Sequence, residues 1–115
     1  MKVISYAEEH IVTTDEIAGE VLSYARELGQ SHIADTLDVP ALYADGHIGQ
    51  VQLLIGPASQ LTVLETSEKQ ADIASEKFLA EIRRRSAALR SAHVAVVRDG
   101  VDVDDYDPDG VDDQG

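Results

Sequence analysis

Apolar residues at Ile17, Val21, Tyr24 and Leu28 recur at spacings of four, three and four, with Ala18, Leu22 and Ala25 widening the stripe. That period predicts an amphipathic helix. Three signals mark its start: Thr13 as an N-cap facing the amide of Glu16, Glu16 reaching back to the cap, and Val12 stapled onto Ile17. Gly29 is expected to end it in the left-handed conformation that glycine adopts without a Cβ penalty. Gly19 in its interior costs about 1 kcal/mol relative to alanine, which points to a close contact there.

The pattern then switches to period two. Ala41-Leu42-Tyr43-Ala44 meets Asp45-Gly46, a dipeptide suited to a type I′ hairpin turn, and Pro40 marks the start of an edge strand. In the next strand Val51, Leu53 and Ile55 share one face while Gln50 and Gln52 share the other, the alternation of a sheet with one wet side. Gly56-Pro57-Ala58-Ser59 breaks it and Leu61-Thr62-Val63-Leu64 returns.

Ser67 and Gln70 propose a second capping box, followed by a longer helix with Ala71, Ala74, Phe78, Ile82 and Leu89 on one face. Acids fill its first half and Arg83, Arg84, Arg85 and Arg90 its second, which suits the helix dipole. Lys2 to Tyr6 and Val94 to Val97 are β-branched enough for a first and a last strand. The expected fold is α+β, in the order β-α-β-β-β-α-β, with two helices on one face of a mainly antiparallel sheet. Residues 1–98 form one domain, since a chain of 115 residues is too short for two adequate cores.

Residues 99–115 carry eight aspartates and no basic residue, with only Val101, Val103, Tyr106 and Val111 as apolar material. Such a segment is expected to be a disordered tail. It supplies −8 of the formal charge of −13, leaving fourteen acids against nine bases in residues 1–98. This balance disfavours direct nucleic-acid binding, because phosphate rewards clustered Lys and Arg. Without cysteine there are no disulfides or thiolate sites, and no apolar run spans a bilayer or forms a secretory signal. A cytoplasmic location with no membrane association is the expectation. The aspartate-rich, lysine-poor composition fits either a high-GC genome or life in molar salt, where acidity serves solubility.

Asp105-Tyr106-Asp107-Pro108-Asp109-Gly110 matches the opening of a calcium loop, with Asp105, Asp107, Asp109 and Asp113 as candidate ligands. The twelfth position, where a bidentate glutamate belongs, lies past Gly115, and chance in an aspartate-rich stretch is the competing explanation. Arg83 and Arg84, within the only basic cluster, are candidates for contact with an acidic group, although consecutive helical residues point about 100° apart. His10, His32, His47 and His93 are far apart and form no metal pair. There is no nucleophile elbow, phosphate loop or dinucleotide fingerprint, so neither catalysis nor a cofactor has a motif behind it.

The helix, three strands and helix between Thr13 and Arg90 resemble the topology of double-stranded RNA-binding domains. Ala71, Ala74, Phe78, Leu79 and Ile82 are similar to the packed face of that family's second helix. That likeness implies the shape. The activity would need lysines opening this helix, where Lys69 stands between Glu68 and Asp72. Asp15-Glu16-Ile17 opening a helix, then Gln52-Leu53-Leu54-Ile55-Gly56 and Leu61-Thr62-Val63-Leu64, resemble bacterial immunity proteins of polymorphic toxin systems. This resemblance implies a small acidic protein that blocks a toxin. The resulting expectation is a non-enzymatic binding protein offering carboxylates to a basic protein partner, with Tyr24, Tyr43 or Tyr106 as anchors. Two rival readings remain: a structural or homo-oligomerising domain with a solubility tail, and a small enzyme using scattered histidines and carboxylates.

Overall fold

The apolar stripe of the first helix packs onto a five-stranded antiparallel sheet, and the second helix packs beside the first. The computed structural model describes residues 1–67 and 71–99, the last seven as backbone only. The elements are β1 (Lys2–Tyr6), β2 (Glu9–Thr13), α1 (Asp15–Ser31), β3 (Asp35–Leu42), β4 (Ile48–Ile55), β5 (Leu61–Glu65) and α2 (Glu76–Asp99). Strands lie in the order β4-β3-β2-β1-β5. The class is therefore α+β as expected, with two helices and a mainly antiparallel sheet.

The sequential order differs from expectation at both ends. The first strand is a hairpin: β2 follows β1 through a two-residue turn in which Ala7 has φ 56°, and Ile4 faces Ile11 in the core. At the other end Val94 to Val97 continue α2 and form no strand. From Glu76 to Asp99 no glycine or proline interrupts the chain, so the helix propagates through the valines despite their strand preference.

Helix boundaries also move. Thr14 is the N-cap of α1, its hydroxyl accepting the Ile17 N–H at 3.1 Å, while Thr13 is buried in β2 and donates to the Pro40 carbonyl at 2.8 Å. Glu16 reaches Arg83 of α2. Gly29 stays helical, and His32 takes the left-handed cap at φ 56°, its N–H donating to the Gly29 carbonyl. A Cβ on Gly19 would meet nothing within 4 Å, so the expected close contact is not there. The second helix starts at Glu76, where the Leu79 N–H donates to the Ser75 carbonyl at 2.8 Å. Ala71 and Ala74 thus precede it, and Ile73 in this lead-in is buried. Gln70 of the expected capping box lies outside the described residues.

Pro40 sits inside β3, between β4 and β2, and does not open an edge strand. Its ring removes a ladder donor. The β2–β3 ladder is accordingly a single pair, Val12 with Leu42, and the Thr13 hydroxyl serves the Pro40 carbonyl instead. The β3–β4 turn is not type I′ either. The Tyr43 carbonyl accepts from the Gly46 N–H, the Tyr43 N–H donates to the His47 carbonyl, and Gly46 alone has positive φ, at 93°. This is the three-residue loop in which a type I turn is closed by a left-handed glycine.

The sheet curls strongly. Its outermost strands, β4 and β5, are joined by residues 56–60 alone. Flat, they would stand about 19 Å apart at about 4.8 Å per strand. Six Cα steps cover that span only when extended. Yet the chain turns within this link, the Ser59 N–H donating to the Gly56 carbonyl at 3.1 Å. Consistent with this curl, the Tyr6 hydroxyl at the end of β1 donates to the Leu54 carbonyl of β4. Ile4, Ile11, Leu37, Val39, Leu53 and Ile55 face the helix side, where Ile17, Val21, Leu28, Leu79 and Ile82 complete the core.

Candidate functional site

The β1–β2 and β3–β4 turns lie at the same end of the sheet, because β2 enters and β3 leaves there in antiparallel register. Beyond the lone Val12–Leu42 pair the two strands diverge and leave a cleft of about 450 Å³. Ile11, Ala41 and Val51 supply apolar walls, and Glu9, His10 and Tyr43 also line it. Glu8 and Asp45 stand on the flanking turns. A greasy wall beside carboxylates suits a side chain with an aliphatic stem and a cationic end.

Tyr43 is held in place. Its ring stacks on His47 at 4.4 Å between centroids, and its hydroxyl donates to the Gln50 carbonyl at 2.7 Å. A Cβ at Gly49 would come within 3.0 Å of the Tyr43 ring, so glycine gives the ring room to cross β4. Asp45 accepts from the His47 backbone N–H and from its ring, and these bonds hold its carboxyl below the usual range.

A second polar arrangement ties the helices together. Tyr24 is 3 % exposed, and its hydroxyl donates to Asp35 at 2.6 Å. Burial, then the bond to Asp35, push the Tyr24 hydroxyl up to about 12. Burial pushes the Asp35 carboxyl up, but bonds from Tyr24 and the Thr36 N–H, with the charge of Arg85, leave it below its ordinary value. Arg85 bridges Asp35 at 2.9 Å and Glu81 at 2.8 Å. Hydrogen bonds from Arg84 and then Arg85 bring Glu81 to about 2. Arg83 bonds Glu16 at 2.9 Å and Glu20 at 3.1 Å, and Arg90 reaches Glu27 at 3.5 Å.

Of the expected contact residues, Tyr43 is at the surface beside the cleft, 38 % exposed. Tyr24 is withdrawn into the core, because helix period points it at the sheet. Arg83 and Arg84 are engaged by their own chain's carboxylates. Tyr106 and the four candidate calcium ligands, Asp105, Asp107, Asp109 and Asp113, lie outside the described residues. Among the described residues no three His, Asp or Glu side chains converge as a metal site. Nor is any helix there long and apolar enough to cross a membrane.

The Ser5 hydroxyl and His10 Nδ1 meet at 3.0 Å across β1 and β2 in an exposed pair. Among the described residues no carboxylate is hydrogen-bonded to this imidazole. Sequence alone marks Arg85 only as part of the basic cluster and gives no role to Asp35 or Glu81. The i to i+4 spacing of Glu81 and Arg85 was the available signal. Comparison with family models, curated proteins and solved structures found no match.

Proposed function

We propose that this chain is a non-enzymatic acidic binding protein that offers carboxylates to a basic protein partner, in the manner of an immunity or inhibitor protein. The observation behind this reading is the cleft between β2 and β3, apolar within and flanked by Glu8, Glu9 and Asp45, with a fixed tyrosine beside it. Arg83, Arg84, Arg85 and Arg90 are consumed by internal pairs, so they do little to offset the surface carboxylates. Glu8 and Glu9 enter none of the ion pairs described. A lysine or arginine side chain entering the cleft would lay its methylenes on Ile11 and Val51 and its charge against these acids.

The test is affinity capture at low ionic strength, with the captured protein identified, purified and titrated against wild type and a Glu8→Lys, Glu9→Lys double variant. The expected partner is basic, its affinity falls as salt rises, and the double variant weakens it by about tenfold, or 1.4 kcal/mol. Binding that ignores both salt and the double variant overturns the proposal.

A further inference from the structure

The sheet face turned away from the helices carries one aliphatic residue from every strand, aligned in a single cross-strand row. Leu64 of β5 faces Val3 of β1, Val3 faces Val12 of β2, Val12 faces Leu42 of β3, and Leu42 faces Ile48 of β4. Leu64 is 56 % exposed and Ile48 43 %. Strand alternation puts all five on the same side, opposite the core row of Ile4, Ile11 and Val63.

The same face is nearly without charge. Asp38 is the only Asp, Glu, Lys or Arg at the strand positions that point this way, and it accepts from Gln52 on the neighbouring strand. The remaining polar positions are Ser, Thr, Gln and His. In a chain with 27 % charged residues, solvent would normally face several lysines and glutamates on an open antiparallel sheet. Charge depletion around aliphatic side chains is instead the composition of an interface centre.

We infer that this face docks onto the same face of a second copy of the chain. Charge selects the occupant. A basic partner finds one carboxylate here, and the aspartate-rich residues 99–115 find no cation. Two copies, each of net charge −13, avoid bringing like charges together by meeting at the neutral face. Their aliphatic rows then bury one another across a two-fold axis.

The test is the molar mass in solution over a concentration series, by sedimentation equilibrium. Wild type is expected to pass from 12.4 kDa to twice that mass. Association should tighten several-fold as salt rises and screens the flanking acids, opposite to the behaviour expected for a basic partner. Leu64→Lys and Ile48→Lys each replace an exposed side chain and lower the net negative charge. Electrostatics alone would therefore strengthen the dimer, whereas loss of apolar contact weakens it by about tenfold with the circular dichroism unchanged. A wild type that stays monomeric at all salts, or lysine variants that dimerise undiminished, overturns the inference. So does a monomer that dimerises only after residues 100–115 are removed, since that segment would then be the occupant. Val12 and Leu42 also line the turn-end cleft, so capture of a basic protein there is measured at concentrations where wild type is monomeric.

Discussion

At the scale of single residues, neighbours of like chemistry are told apart only by what the fold places opposite them. Thr13 and Thr14 are equally good N-caps in sequence. The Pro40 carbonyl, buried and deprived of a ladder donor, takes the hydroxyl of Thr13 and leaves the cap to Thr14. Nothing within a few residues of Thr13 announces that partner. Glycine behaves in a similar way: Gly29 carries the local signature of a helix stop, yet His32 adopts the left-handed cap. Gly19 has open space where a methyl group would go. Gly19→Ala should therefore stabilise the protein by about 0.5–1 kcal/mol, read as a higher urea midpoint with unchanged slope. A loss of stability would mean that the helix interior there is tighter than described.

At the scale of elements, the stripe of α1 and the alternation of β4 were plain in the sequence because each buries one face continuously. The strand β2 carries no turn signal in the sequence because its turn lacks glycine, with Ala7 taking the positive φ. The valines ending α2 misled through local preference, which an uninterrupted helix overrides. Of the turn-end cleft, Tyr43 was legible as an exposed aromatic beside a turn. The cleft itself was not, because it arises from a ladder that Pro40 cuts short.

The polar clamp joining α1, β3 and α2 sets the pH limits of the same assembly. Glu81 is brought to about 2 from 4.5, and Asp35 is lowered as well, so the folded state holds these protons less tightly than the unfolded chain does. Their contribution is present above about pH 4.5 and fades as pH falls towards 2. Tyr24 runs the other way: raised from 10.0 to about 12, its contribution is full below pH 10 and is lost on the way to 12. Urea midpoints across pH should thus fall at both extremes. Tyr24→Phe should flatten the alkaline limb, and Glu81→Gln the acid limb. If neither limb responds, the clamp is not what titrates.

At the scale of the whole molecule, the curl that brings the two sheet margins together through five linking residues also decides which backbone remains open to neighbours. β4 is an outermost strand, and its outward carbonyls at Gln50 and Leu54 are taken by the hydroxyls of Tyr43 and Tyr6. A strand from another molecule that tried to extend the ladder at this margin would have to displace two phenols first. Both hydroxyls would therefore oppose fibre growth at this margin. Tyr43→Ala should leave the fold standing but shorten the lag before thioflavin-positive aggregates form at neutral pH. An unchanged lag would show that this margin is guarded by something other than aromatic hydroxyls.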